Sequence, residues 1–212
     1  MDFERIVITG DLAFRKPSES IYNWIKNKLE KKNYNYLIIP GNHDDPDLIS
    51  RVFGLKLNNE QLYYYIIQKR YLIFFLDTSD STVSKKQIAF INKVSNKNKD
   101  KEIIIFMHHP PVNTGCIYMD RKYPLMNMNE FQKVMEEIDR LTHIFCGHQH
   151  CSRNIQYGDI EIFITPSTFF QIDCSLESFR VESYNIGYRI IEFDNKYVDT
   201  RLNYLEMGEN GK

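Results

Sequence analysis

Residues 102–109 read EIIIFMHH, an unbroken apolar run that ends in two histidines, and this pattern decides how the chain folds. Four other stretches have the same form: RIVIT at 5–9, NYLIIP at 35–40, YLIFFLD at 71–77 and HIFCGH at 143–148. Continuous apolar runs without alternation are typical of parallel strands that are covered on both faces. The pattern therefore predicts a sheet that is buried under other layers on both sides.

Helical and hairpin signals fill the chain between and after these strands. Apolar residues recur at helical spacing over 19–31, 85–94 and 129–138, which predicts crossover helices. Beyond Cys146 two hairpins are predicted, over 153–165 with a turn at Gly158-Asp159 and over 188–202 with a turn at Asp194-Asn195. The predicted fold is a layered α/β domain with mixed sheets, formed by residues 1–212 as one domain.

Composition narrows the classes of partner. The chain has 27 basic and 28 acidic residues, a formal net charge of -1, so charge gives no reason to expect a nucleic acid polymer or an anionic membrane as partner. The N-terminus lacks the pattern of a signal peptide, and no apolar stretch of about 18 residues occurs. The four cysteines are scattered without CxxC spacing, which favours reduced thiols. We expect a soluble, cytoplasmic protein that acts on a small molecule.

Polar side chains follow directly on the apolar strands. Because strand ends on one edge of an α/β sheet face a common crevice, these side chains are expected to converge. Each histidine alone is also explained as a hydrogen-bonded structural residue, and the Asn-His-Asp sequence as an ordinary turn. Together they predict one functional site. Its candidate residues are Asp11, Asn42, His43, Asp44, His108, His109, His148 and His150.

This set of side chains suits divalent metal ions. Imidazole, carboxylate and amide ligands favour Mn, Fe or Zn, and the Asp11 carboxylate is of a kind that bridges two ions. Two ions about 3.5 to 4 Å apart acidify a bound water and stabilise both the attacking and the leaving oxygen of a phosphate ester. The predicted reaction is hydrolysis. A histidine that is not bound to metal, charged by Asp44 or by the phosphate, would assist the leaving oxygen.

Four motifs in this order resemble those of the calcineurin-like metallophosphoesterases: GDL at 10–12, PGNHD at 40–44, HHPP at 108–111 and GHQH at 147–150. The segments LDTSD at 76–80, KKQIAFIN at 85–92 and ITPSTFFQ at 164–171 extend the likeness to the class III cyclic-nucleotide phosphodiesterase branch. The resemblance implies a four-layer α/β/β/α sandwich. It also implies that Asp11 bridges two metals, that Asn42, His108 and His148 complete the second metal site, and that His150 belongs to the first.

The same resemblance implies roles for the remaining histidines of the set. His43 is similar to the substrate-facing acid of the family, next to Asp44. In the HHPP motif His108 stands where the family ligand stands, which leaves His109 behind the ligands or at the substrate.

The chain departs from the family pattern at its start. Members begin with a strand that ends in Asp-x-His and with a helix, and neither is found here, because Asp2 precedes its strand and no spare histidine remains. We therefore expect an N-terminally incomplete domain that binds one ion tightly rather than two. A missing strand is also expected to leave strand edges and apolar surface uncovered, which favours self-association, for example as a homodimer.

The substrate prediction depends on residues 111–131, PVNTGCIYMDRKYPLMNMNEF, which resemble the loop that covers the site in cyclic-nucleotide members. Tyr118 and Tyr123 are candidates to line a base pocket, or they merely pack the loop. The predicted substrate is a small phosphodiester such as the 3',5'-cyclic nucleotide cAMP. The alternative is an impaired relative that binds one metal or a nucleotide without efficient turnover.

Overall fold

The computed structural model describes residues 3–194 and 196–205. In chain order its elements are β1 (Ile6–Ile8), α1 (Glu19–Lys31), β2 (Tyr36–Ile38), α2 (Pro46–Phe53), β3 (Tyr64–Gln68), β4 (Tyr71–Phe75), α3 (Lys85–Lys97), β5 (Glu102–Met107), α4 (Ile117–Lys122), α5 (Met128–Glu137), β6 (Leu141–Cys146), β7 (Arg153–Tyr157), β8 (Ile160–Ile164), β9 (Gln171–Ile172), β10 (Val181–Ser183), β11 (Ile186–Phe193) and β12 (Val198–Leu205).

A six-stranded mixed sheet forms the centre, in the order β3-β4-β5-β6-β8-β7. Strands β4, β5, β6 and β8 run parallel, and the edge strands β3 and β7 pair antiparallel with their neighbours. The mixed α/β fold predicted from the apolar runs is confirmed, including the hairpin of β7 and β8. Strands β11 and β12 form the second predicted hairpin; of its predicted turn, Asn195 lies outside the described residues.

The two faces of this sheet carry different layers. One face packs against α3 and α5 in a cluster that includes Ile91, Ile105 and Phe131. The other face packs against residues of β1, β2, β11 and β12, and α1 and α2 lie on the far side of β1 and β2. The layer order is therefore α/β/β/α. Each fully buried Ile or Phe side chain contributes roughly 1.5 to 3 kcal/mol of hydrophobic stabilisation.

Aromatic rings form a continuous row, called here the ring ladder, on the face of the central sheet that packs against β1, β2, β11 and β12. Neighbouring rings lie nearly parallel, with centroid distances of 4.8, 5.2, 5.0 and 5.2 Å along the row. The ladder connects one residue from each of five neighbouring strands, because each ring is at the same level of its strand. Its members are Tyr64, Phe75, Phe106, Phe145 and Phe163.

Helix α2 was not predicted, although its ends carry clear signals. The Asp45 side chain accepts a hydrogen bond from the Leu48 backbone N–H, and Pro46 occupies the first turn. Gly54 ends the helix in the left-handed conformation with φ 68°. The helix places the PGNHD loop, because that loop connects β2 directly to its first turn.

Strand β1 lies at the border of a large cleft. It pairs in parallel with β2, and no further strand among the described residues pairs with it. The cleft has a volume of about 1660 Å³ and is lined on one side by apolar residues such as Val7, Phe106 and Phe193, and at one end by the predicted site. The sequence-based expectation of a missing first strand and helix stays a prediction.

No helix within the described parts of the chain is both long enough and apolar enough to cross a membrane.

Candidate metal and phosphodiester site

Loops from four strands meet at one end of the cleft. Asp11 follows β1, residues 40–44 follow β2, His108 follows β5 and His148 follows β6. One ligand atom from each of Asp11, His108 and His148 lies within 4.8 Å of the others. The convergence predicted from strand ends therefore occurs, although β1 and β5 belong to different sheets.

The ring of His108 is held so that one nitrogen faces the centre of the site. Its Nδ1 lies 2.6 Å from the backbone oxygen of Thr9, and since a carbonyl only accepts, Nδ1 is the donor. Three acceptors surround its Nε2: the Asn42 Oδ1 at 3.2 Å, the Asp11 Oδ2 at 3.3 Å and the His148 Nδ1 at 3.1 Å. One proton on Nε2 thus stands where the lone pairs of three side chains converge.

His148 is oriented in the same way. Its Nε2 donates to the backbone oxygen of Tyr123 at 2.9 Å, which leaves the Nδ1 lone pair directed at the site. A backbone carbonyl that fixes the tautomer of a histidine is a usual partner of metal-binding imidazoles. Nitrogen from two histidines and oxygen from Asp11 and Asn42 form a donor set that fits a divalent transition ion.

Two glycines allow the loops to come this close. A Cβ on Gly10, whose φ is +100°, would lie 2.6 Å from the His108 Nδ1, and a Cβ on Gly41 would lie 2.8 Å from the His108 Cε1. Both distances are shorter than carbon atoms tolerate. Glycine is therefore required at both positions if the His108 ring is to lie between the loops that follow β1 and β2.

The electrostatics of the site match a pair of opposite charges at its centre. Burial alone would raise the pKa of Asp11, but the neighbouring His108 and the His43 backbone N–H hold it well below its usual range. Burial likewise works against a charge on His108, yet Asp11 raises the pKa of this imidazole above its ordinary value. Burial and the charge of His108 lower the pKa of His148 to about 3, so His148 is neutral.

Three candidate ligands have left-handed backbone conformations that non-glycine residues seldom adopt. The φ angles are 56° at Asp11, 66° at His148 and 49° at His150. Each such residue costs on the order of 1 to 3 kcal/mol, and strain of this kind concentrates at functional sites. The surrounding hydrogen bonds hold the strained loops in place.

Asp44 organises the loops rather than facing the centre. Its carboxylate accepts hydrogen bonds from the backbone N–H groups of Leu12, Ala13 and Gly41 at 3.2, 3.1 and 2.9 Å, and from the Tyr22 hydroxyl at 3.0 Å. These contacts connect the GDL loop, the PGNHD loop and α1. The predicted role of Asp44, to stabilise the protonated form of His43, stays a prediction.

The other predicted histidines lie around the central three. The backbone N–H of His43 donates to the Asp11 Oδ1 at 3.0 Å. The His43 ring packs edge-on against the Phe14 ring, with a centroid distance of 5.6 Å. The His150 Nδ1 donates to the backbone oxygen of Phe170 at 3.0 Å, and His150 lies outside the group of three ligand atoms within 4.8 Å. Its predicted role as a metal ligand stays a prediction.

His109 lies behind the ligands, against the ring of His148 at a centroid distance of 4.1 Å. Its Nδ1 lies 3.0 Å from the Thr78 hydroxyl and its Nε2 3.4 Å from that of Ser81. Burial and the neighbouring His148 and His108 lower the pKa of His109 strongly, so the ring is neutral.

Aromatic side chains border the part of the cleft next to the histidines. The Tyr118 ring lies 5.9 Å from both Tyr123 and Phe179, and Phe14 lies 6.0 Å from Phe169. All five line the same cleft as Asp11 and the central histidines. The sequence predicted Tyr118 and Tyr123 here, but Phe14, Phe169 and Phe179 were missed because no sequence pattern relates the three segments that carry them.

Comparison with known proteins places this site in a family. The calcineurin-like phosphoesterase family profile matches residues 2–152. A protein of Fibrobacter succinogenes named "Probable cyclic nucleotide phosphodiesterase" is 35% identical over 203 residues, which cover 95% of this chain and 78% of that protein. The chain belongs to the calcineurin-like phosphoesterase family.

Two further likenesses agree with this assignment. The 3',5'-cyclic adenosine monophosphate phosphodiesterase CpdA of Escherichia coli is 23% identical over 197 residues, covering 90% of this chain and 70% of that protein. The crystal structure of a dimetal phosphatase from Danio rerio has the same fold, with a TM-score of 0.65 at 14% identity over 93% of this chain and 83% of that one. The predicted family and the predicted enzyme class, a metallophosphoesterase, are confirmed.

Proposed function

We propose that this protein is a metal-dependent phosphodiesterase of small substrates, with a 3',5'-cyclic nucleotide such as cAMP as the leading candidate. The observation that carries the proposal is the convergence of Asp11, Asn42 and His148 on the Nε2 of His108. Relatives named cyclic nucleotide phosphodiesterases support the choice of substrate.

Asp11, Asn42, His108 and His148 would hold the ion, of the Mn, Fe or Zn type. When bound, such an ion supplies Lewis acidity toward the phosphate and acidifies a water. The Thr9 and Tyr123 carbonyls keep the Nε2 of His108 and the Nδ1 of His148 directed inward. His43 would donate a proton to the leaving oxygen, and Asp44 would hold the His43 loop in place.

The aromatic residues supply a surface for the non-phosphate part of the substrate. Rings of Tyr118, Tyr123 and Phe179 offer faces on which a nucleobase can stack. Small phosphodiesters without a base would use the same phosphate position but would gain nothing from these rings.

The test is hydrolysis by the purified chain with Mn²⁺. Cyclic AMP, cyclic GMP, a glycerophosphodiester and bis(p-nitrophenyl) phosphate are compared, with Asp11→Asn as the control that lacks a ligand. We expect turnover of a cyclic nucleotide that depends on Mn²⁺ and is lost in Asp11→Asn. Hydrolysis of only the base-free diesters would reject the cyclic nucleotide, and no Mn²⁺-dependent hydrolysis would reject the enzyme.

A second candidate is a relative that binds one ion without efficient turnover. One observation favours it: among the described residues, Asp11, His108 and His148 form the sole group of three histidine or carboxylate ligands close enough for an ion. Metal analysis then gives one tightly bound Mn²⁺ per chain and little turnover. Two tightly bound Mn²⁺ ions with full activity would exclude this candidate, because further groups would have to complete a second site.

A further inference from the structure

Three cysteine side chains meet beside the candidate site. The sulfur atoms of Cys116, Cys151 and Cys174 all lie within 4.8 Å of one another. They come from three segments: the residue before α4, the residue after His150, and the short connection after β9. The fourth cysteine, Cys146, is buried in the helix-covered face of the central sheet and is not part of the group.

We propose that Cys116, Cys151 and Cys174 bind one thiophilic metal ion, with Zn²⁺ as the leading candidate. Three thiolates are soft ligands that select Zn²⁺ or Cu⁺ over Mn²⁺. Sulfurs bonded to one Zn²⁺ at about 2.3 Å with tetrahedral angles are about 3.8 Å apart. Side-chain rotations that bring the sulfurs closer by about 1 Å or less therefore suffice to form the site.

The surroundings distinguish a metal site from accidental proximity. Cys116 is 0% exposed and Cys151 is 5% exposed, and both pack with Met119, Phe170 and Ile172. Cys174 is partly exposed, which gives an ion a route from solvent. A single buried thiol needs no partner, but three thiols within 4.8 Å of one another resemble a ligand set.

The alternative to a metal site is a disulfide between two of these cysteines. A disulfide would explain the proximity of only two of the three sulfurs. All four cysteines are free. A disulfide would join two sulfurs at about 2.05 Å and leave the third without a role. A metal ion uses all three at once.

The negative charge of three thiolates would be offset by the metal ion and by the nearby Arg153. Binding of Zn²⁺ to three thiols releases three protons to solvent and leaves the centre with one net negative charge. The guanidinium of Arg153, the first residue of β7, favours the thiolate forms of Cys116 and Cys174. Without an ion, the neighbouring thiols and burial raise the pKa of Cys151 and Cys174 above its ordinary value, so the ion must displace these protons. Three protein ligands leave one position of a tetrahedral Zn²⁺ for water or a small thiol.

An ion here would join segments that border the cleft. The Ile117 backbone N–H already donates to the Cys174 oxygen at 3.1 Å, and that of Ile172 to the His150 oxygen at 2.8 Å. The ion would add a covalent-strength connection between the start of α4 and the GHQH loop. Its role would be structural and separate from the Asp11 and His108 centre.

Cobalt spectroscopy of the full-length, reduced protein tests the proposal. Co²⁺ bound to thiolates gives an intense sulfur-to-metal charge-transfer band in the near ultraviolet, whereas oxygen and imidazole ligands give none. We expect the band in the wild type and in Asp11→Asn, saturating at one Co²⁺ per chain. Absence of the band at saturating Co²⁺ would overturn the proposal.

Matched cysteine variants locate the site. Changes outside the first ligand shell already weaken metal binding by roughly 10- to 100-fold, so Cys174→Ser should weaken Co²⁺ binding at this band at least as much. Cys146→Ala should leave the band and the affinity unchanged. An equal band in Cys174→Ser and the wild type, or its loss in Cys146→Ala, would contradict the assignment.

Labelling of the unmodified protein avoids dependence on variants that fail to fold. Iodoacetamide modification is mapped by peptide mass spectrometry with and without Zn²⁺. Because Cys116 and Cys151 are buried, the readout is the partly exposed Cys174. We expect Zn²⁺ to protect Cys174 and to leave the labelling of Cys146 unchanged. Equal labelling of Cys174 with and without Zn²⁺, or a disulfide between two of the three cysteines in the isolated protein, would overturn the proposal.

Discussion

The Nε2 atom of His108 lies 3.3 Å from the Oδ2 of Asp11 and joins the ends of strands that belong to different sheets. Asp11 follows the two-stranded sheet and His108 the six-stranded one. The contact favours opposite charges, because Asp11 raises the pKa of His108 and His108 lowers the pKa of Asp11. The contact between Asp11 and His108 therefore connects the two sheets at the centre of the site.

Metal affinity should rise with pH because the ion must displace the proton on His108. The neighbouring Asp11 raises the pKa of His108 above its ordinary value, so the free site keeps this proton to a higher pH than an ordinary imidazole does. Below the raised pKa, Mn²⁺ affinity should increase about tenfold for each pH unit, and above it the affinity should level off. Calorimetric titration in buffers of different ionisation enthalpy measures the affinity and the proton released.

The control for this titration is His143→Gln, which changes a histidine of β6 that contacts Thr142 and Glu161 instead of the site. It should release the same number of protons as the wild type. An affinity that does not change with pH would show that His108 carries no proton in the metal-free protein.

Replacing Asp44 by Asn should destabilise the loops of the site. An amide retains one acceptor oxygen but turns an NH₂ group toward the N–H donors of Leu12, Ala13 and Gly41. Unsatisfied donors of this kind cost roughly 1 to 3 kcal/mol each, so we expect a loss of about 2 to 3 kcal/mol in urea unfolding of the metal-free protein.

Asp45→Asn is the matched control, because the adjacent Asp45 caps α2 by accepting from Leu48 and asparagine caps helices about equally well. Its free energy of unfolding should stay close to that of the wild type. Equal losses in both variants would show that Asp44 has no special place in the loops.

His43→Ala should slow hydrolysis in a way that depends on the leaving group. If His43 donates the proton, loss of the imidazole should cost roughly 10²- to 10⁴-fold with the alkoxide of a cyclic nucleotide as leaving group. The loss should be much smaller for p-nitrophenolate, which leaves without protonation. Comparison of kcat on cAMP and on bis(p-nitrophenyl) phosphate measures this difference, and equal losses would remove the acid role from His43.

Tyr118→Ala should weaken binding of substrates that contain a base. Stacking of a base on an aromatic ring is worth about 1 to 3 kcal/mol, which corresponds to roughly 5- to 150-fold in KM for a cyclic nucleotide. The KM for bis(p-nitrophenyl) phosphate should change less. Tyr184→Ala removes an exposed ring outside the cleft and serves as control, and an unchanged KM for the nucleotide in Tyr118→Ala would exclude base stacking there.

Much of the architecture could be predicted because it is encoded locally. Strands β4, β5 and β6 are continuous apolar runs, and the polar residues that end them share one edge of the sheet by geometry alone. Strand β3 was missed because its sequence, YYIIQ, does not alternate between apolar and polar residues as its burial alternates between half-buried and exposed. The part of Asp44 in charging His43 stays a prediction, and the sequence did not reveal that its carboxylate accepts hydrogen bonds from the backbone of two loops and from Tyr22.

The cysteine cluster marks the limit of such prediction. Cys116, Cys151 and Cys174 stand in three loops, and no spacing rule relates them. Their proximity depends on how α4 and β9 lie beside the GHQH loop, which only tertiary structure determines. The aromatic residues Phe14, Phe169 and Phe179 were missed for the same reason.

The ring ladder bears on how this protein can change over evolutionary time. A strand that slid by one residue past its neighbour would turn its ring to the opposite face, so the stacked rings oppose such sliding. Phe106 and Phe145 stand just before His108 and His148, and their strands therefore deliver the two imidazoles at a fixed level. Insertions or exchanges in the loop around α4 would then change the wall of the cleft while the two imidazoles keep their positions.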